Sequence, residues 1–118
     1  SFAKKAIIWD VSVSTIGSGE SHMYALSRNY SGAGTKELFD LLEERKSEIE
    51  THLRAVDGFV AYTLIRTNEG GVSMTVCEDQ EGTDQSTQVV REWIKANAAD
   101  LNTNPPTVSK GTVILHLT

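Results

Sequence analysis

The stretch TKELFDLLEERKSEIETHLRAV, Thr35 to Val56, constrains the chain more than any other. Leu38, Leu42, Arg45, Ile49, Leu53 and Val56 recur at steps of three or four, and Phe39 and Leu41 widen the stripe. The opposite side carries Glu37, Glu43, Glu44, Lys46, Glu48 and Glu50, so the spacing predicts one long amphipathic helix lying on a core. Thr35 suits the N-cap, and Asp57-Gly58 provides a stop that tolerates positive φ. A helix of this kind needs an apolar layer beneath it, which the remaining segments must build.

Those segments read as strands and one further helix. MYALSRNY, from Met23, alternates until SGAG breaks it. FVAYTLIRT is rich in β-branched and aromatic residues; Asn68-Glu69-Gly70-Gly71 makes a turn, and VSMTVCE then alternates strictly, which predicts a hairpin. QSTQVVREWIKANAA places Val89, Val90, Trp93, Ile94 and Asn97 on one helical face, with Thr83 or Asp84 as cap. The two prolines of DLNTNPP end that helix, and TVILHL is expected as the last strand. The order β, α, β, β, α, β predicts an α+β ferredoxin-like fold: a four-stranded antiparallel sheet with two helices on one face.

At 118 residues the chain has the size of one domain. Its net charge of -5 offers no attraction to nucleic acid or to an anionic membrane surface, and neither is expected as a partner. Cys77 is the single cysteine, which rules out an intrachain disulfide and a multi-thiolate metal site and fits a reducing cytoplasm. No metal and no cofactor are expected. No run approaches the roughly 18 apolar residues of a membrane helix. Asp10 interrupts the apolar stretch of SFAKKAIIWDVSVSTIG, so no signal peptide is expected, and the sequon Asn29-Tyr30-Ser31 then carries no glycan.

Residues 1–22 read as an extension in front of a domain that spans 23–118. AIIWDVSVS alternates in its own right and predicts an additional strand, surplus to the fold, that adds to a sheet edge of its own or another subunit. Gly17-Ser18-Gly19-Glu20 has the look of a spacer and Ser21-His22-Met23 that of a cloning junction, so an appended origin is expected, with the domain as carrier.

Strand alternation splits the sheet into two faces. Val72, Met74 and Val76 oppose Ser73, Thr75 and Cys77; Ala25, Ser27 and Asn29 oppose Tyr24, Leu26, Arg28 and Tyr30; Val113, Leu115 and Leu117 oppose Ile114 and His116. The helices require one strongly apolar face. A semi-polar face on the other side is rarely left to water, and two such domains pressed face to face would form a homodimer with a lined interior.

YSGAGTKELFDLLEERKSEIE, VDGFVAYTLIRTNEGGVSMTVCED and REWIKANAADL together resemble the antibiotic biosynthesis monooxygenase-like domains of the dimeric α+β barrel superfamily, above all its small uncharacterised bacterial members. The resemblance covers Met23 to Thr118 and rests on hydrophobic spacing and two glycine turns. It implies a homodimer packed through sheet faces and a pocket for a small aromatic or apolar molecule between sheet and helices. If the domain is an enzyme, the implied chemistry is oxygenation or isomerisation without a metal. Haem-degrading members are similar to one another in an Asn, a Trp and a His around the porphyrin; Asn29 stands for the first, while Trp93 and His52 do not match that pattern.

The candidates that follow are weak catalytic ones, His116, Asn29, Tyr62 and Arg66, and ligand-lining ones, Ser27, Thr75, Cys77 and Trp93. His116 is placed in the last strand, as a general base or as a half-buried strand residue. Tyr62 and Arg66 share a strand face with Val60 and Leu64 and suit an anionic or phenolic group, or a pair at the dimer seam. Cys77 is a nucleophile or inert packing, and Trp93 a stacking platform or core. SGAGTKE lacks the pattern of a phosphate loop, and EDQEGTDQ lacks the spacing of a calcium loop. A binding or oligomerisation module without catalysis is the alternative to an enzyme.

Overall fold

A computed structural model describes residues 22–118. The surplus strand, the spacer and most of the junction expected in residues 1–22 lie outside the described residues. The elements are β1 (Tyr24–Ser31), α1 (Thr35–Glu44), α2 (Lys46–Arg54), β2 (Phe59–Thr67), β3 (Gly70–Cys77), α3 (Gln80–Asn97) and β4 (Thr107–Thr112), with a 3-10 turn at Ala99–Leu101. The sheet order is β2-β3-β1-β4 with every neighbouring pair antiparallel, and the helices cover one face. This is the ferredoxin-like arrangement that the order of segments predicts.

The long helix is two. Arg45 leaves helical geometry at φ -115°, ψ 30°, and its guanidinium turns back onto Glu48 through Nε and Nη2 at 2.9 and 2.8 Å. The reason lies in the stripe: a charged residue falls where the core face continues, and the break lifts it to a half-exposed position over the Trp93 ring, 5.2 Å from its centroid. On either side of the break Leu38, Leu42, Ile49 and Leu53 remain buried together with Phe39, Tyr30, Val90 and Trp93. Each such side chain contributes about 1.5–3 kcal/mol when withdrawn from water.

Three caps differ from the sequence expectation. Thr35 is the first helical residue rather than the cap; Gly34 precedes it at φ 78°, and the Thr35 hydroxyl donates to the Gly32 carbonyl at 2.8 Å. The helix after the hairpin starts at Gln80, and Asp79, not Thr83 or Asp84, caps it by accepting from the Gly82 amide at 2.9 Å. Gly58 does adopt the positive φ expected of it, at 81°, although helix α2 already closes at Arg54.

The last strand is displaced. TVSKGT forms β4, whereas TVILHL continues past the sheet from Thr112 onward. Pairing explains this: β4 runs beside β1 from Asn29 opposite Thr107 to Tyr24 opposite Thr112, and β1 has no ladder left for the residues that follow. One backbone bond, Val113 N–H to Met23 O at 2.8 Å, closes the ladder. Beyond it Ile114, Leu115 and Leu117 are 95%, 74% and 81% exposed.

Candidate functional site

The chemistry of the interior follows from strand register. Leu26, Arg28 and Tyr30 of β1 are buried beneath the helices, and β3 presents Ser73, Thr75 and Cys77 to the same side. The apolar set of β3, Val72, Met74 and Val76, therefore faces away from the helices. On β3 alone the helices take the hydroxyl and thiol residues, while Leu26, Tyr30, Phe59 and Leu64 of the other strands supply the apolar part of that face. The small hydroxyl and thiol residues allow helix α3 to sit close: Cys77 Sγ lies 3.5 Å from Ser86 Oγ, and a methyl on Gly82 would stand 2.7 Å from the Cys77 Cβ.

β2 reaches the interior through a bulge. The register steps from Phe59 opposite Cys77 to Ala61 opposite Val76, so Val60 is the extra residue and does not share a face with Tyr62, as alternation predicts. Phe59, Tyr62, Leu64 and Arg66 consequently all turn toward the helices, where they line a cavity of about 410 Å³ with Phe39, Leu42, Ile49 and Leu53. Glu43 and Glu50 reach the same cavity, but both carboxylates are engaged, Glu43 by Arg66 at 2.9 Å and Glu50 by Arg54 at 2.8 Å. Arg66 also holds Asp40 at 3.1 Å.

Tyr62 is the uncharged polar side chain among the lining residues of this cavity. Burial, reinforced by Tyr30, pushes its hydroxyl up to about 12, against a smaller pull from the Ser73 hydroxyl and the Arg28 guanidinium. At neutral pH it is a hydrogen-bond donor and not a base. Burial raises Tyr30 as well, with Arg28 opposing. Burial also pushes the Cys77 thiol up, more than Ser86 pulls it down, which withholds the thiolate that nucleophilic chemistry requires.

The eight residues named from sequence fall into four places. Tyr62 and Arg66 meet in the cavity, and Thr75, Cys77 and Trp93 lie buried in the layer between sheet and helices. Trp93 is core: its Nε1 donates to Glu48 Oε1 at 3.1 Å. Ser27 and Asn29 point to the opposite face of the sheet. His116 stands outside every strand on the segment after β4, so it neither lies in the last strand nor joins the other candidates. The trio Asn29, His52 and Trp93 does not assemble either, since Asn29 is exposed on the outer face, His52 is exposed on α2 and Trp93 is buried. Alternation alone missed Arg28: it is the buried charge of the interior, 5.4 Å above the Tyr30 ring.

No family model and no curated protein matches the chain. Solved structures do. A protein of unknown function from Nitrosomonas europaea aligns at TM-score 0.62 and 17% identity, covering 84% of this chain and 95% of that one. The ActVA-Orf6 monooxygenase of Streptomyces coelicolor, in complex with nanaomycin D, aligns at 0.56 and 15%, over 85% and 94%. A dimeric ferredoxin-like protein from an uncultured marine organism aligns at 0.56 and 15%, over 81% and 96%. At these identities the likeness is one of fold, and it bears out at that level the resemblance to antibiotic biosynthesis monooxygenase-like proteins.

Proposed function

We propose that the chain is a homodimeric domain of the antibiotic biosynthesis monooxygenase type that binds a small, mostly apolar aromatic molecule between β2 and helices α1 and α2. The observation that carries this reading is the cavity of about 410 Å³ walled on its inner side by Phe39, Leu42, Phe59 and Leu64, with the protonated Tyr62 as its uncharged polar contact and Glu43, Lys46, Glu50, Arg54 and Arg66 as its charged lining. A cleft of a few hundred Å³ with an aromatic and aliphatic wall and polar groups to fix orientation suits a flat organic ligand. Tyr62 would donate to a phenolic or quinone oxygen of that ligand, and Arg66 at the margin would orient an acidic substituent.

Binding is favoured over turnover. The carboxylates that reach the cavity are tied to arginines, Tyr62 holds its proton, and His116 lies elsewhere, so a substrate to be oxygenated would have to supply its own acidity. Self-association is supported by the outer sheet face, where Ile65 and Met74 are 48% and 43% exposed, and by the apolar segment after β4. Dimeric fold neighbours point the same way.

Titration of the full chain with 1-naphthol, followed by amide NMR and sedimentation, tests the reading. The expected result is a dimer whose resonances at Phe39, Leu42, Phe59 and Tyr62 move, with the movement lost in Leu42→Trp, which fills the cavity. A monomer, or movement confined to other regions, would overturn it. Oxygen uptake with the same ligand separates an enzyme from a binding module.

A further inference from the structure

Arg28 occupies the middle of β1 on the helix-facing side and is only 8% exposed. Its Nε and Nη1 are sealed from solvent without a hydrogen-bond partner among the described residues. None of the ion pairs among those residues includes it. A guanidinium cannot shed its proton at any physiological pH, and a buried charge without a counter-charge is strongly unfavourable. The Tyr30 ring beneath it offers a quadrupole and no net negative charge.

The same arginine borders a second cavity, also about 410 Å³, on the α3 side of the interior. Tyr30, Leu38, Ile94 and Pro106 give it its apolar contacts, beside the neutral polar Gln88, Thr103 and Asn104. Arg28, Arg91 and Lys95 against Glu92 give it three cations to one anion, a local excess of two positive charges in a chain whose total is -5. Field lines from such a cluster converge in the low-dielectric cleft and select for an anion.

We propose that this second cavity binds the carboxylate of a small apolar organic acid, with Arg28 as the buried counter-charge and Arg91 and Lys95 drawing the acid in from solvent. An organic acid fits better than inorganic phosphate because Leu38, Ile94 and Pro106 can contact a hydrocarbon body and a single buried cation neutralises a single negative charge. The site is separate from the cavity at β2 and stands or falls independently of it.

The test uses the full chain with three probes: 2-naphthoate, its neutral counterpart 2-naphthamide, and inorganic phosphate. Calorimetry is expected to show naphthoate binding at least about tenfold more tightly than the amide, the weight of one hydrogen bond to a charged group. The Arg28 Nε–H resonance should shift with naphthoate alone. Arg28→Met should abolish the preference for the acid, and Leu42→Trp in the other cavity should leave it intact. Equal affinity for acid and amide, absence of naphthoate binding, or a preference that survives Arg28→Met would each overturn the proposal, as would phosphate binding as well as naphthoate. Should Arg28→Met fail to fold, the side-chain resonance of the unsubstituted protein decides by itself.

Discussion

Arg45 and Trp93 are stacked, guanidinium over indole, and share one carboxylate: Glu48 accepts from Arg45 at 2.8 Å and from the Trp93 Nε1 at 3.1 Å. The arrangement joins the break between α1 and α2 to the middle of α3. The hydrogen bond from Arg45, then that from Trp93, holds Glu48 below the ordinary carboxylate value of 4.5. A lowered folded-state value means that stability is present above that pH and fades as pH falls through the lowered value. Glu48→Gln is expected to flatten the acid limb of the stability curve, measured by urea denaturation between pH 3 and 6, and Arg45→Ala to shift Trp93 emission to the red.

Tyr62 gives the opposite limb. Its value is raised from 10.0 to about 12, so its contribution is complete below pH 10 and is lost as pH climbs toward 12. Absorbance titration should show one tyrosine ionising near the top of that range, and Tyr62→Phe should remove that step and flatten the alkaline limb. Loss of a lower-pH step instead would contradict the burial of this hydroxyl.

Gly71 lies directly under the Phe39 ring, and a Cβ there would overlap it. Gly71→Ala is expected to destabilise by about 1–3 kcal/mol, the usual cost of overpacking. Combining it with Phe39→Leu should recover part of that loss. Strictly additive effects in the double variant would mean that the two positions do not touch.

Met74 sits on the outer sheet face near its centre, opposite Ser27 on β1 and Thr63 on β2. Met74→Asp is expected to yield a monomer by sedimentation with an unchanged far-ultraviolet spectrum. Leu38→Ala, by contrast, removes a wholly buried side chain and is expected to cost about 2–5 kcal/mol. If Met74→Asp leaves the association state unchanged, the outer face is not the seam.

The order of elements was legible because each announces its own period, three to four for the helices and two for the strands. The break at Arg45 was not, since it depends on Glu48 and Trp93, the latter 45 residues from Glu48 in sequence. TVILHL has the stronger strand composition, yet TVSKGT forms β4, because a strand needs a partner and β1 ends at Tyr24. Tyr62 and Arg66 were readable as a pair on one face; Arg28 looked like any arginine on an alternating strand. Its burial comes from register with Ser73 on one side and Val108 on the other, which no local pattern reports.

Val60 bears on how the chain tolerates change in length. Losing one residue from a regular strand turns everything beyond it inside out. Here Phe59 already stands opposite Cys77 and Ala61 opposite Val76, so removing Val60 would join two residues that are already in step with β3. Phe59, Tyr62 and Leu64 would all keep their side of the sheet. Insertions and deletions at this one position can alter the twist of the edge strand while the aromatic wall of the cavity stays where it is, a point of slack in a sheet whose other ladders run without a step.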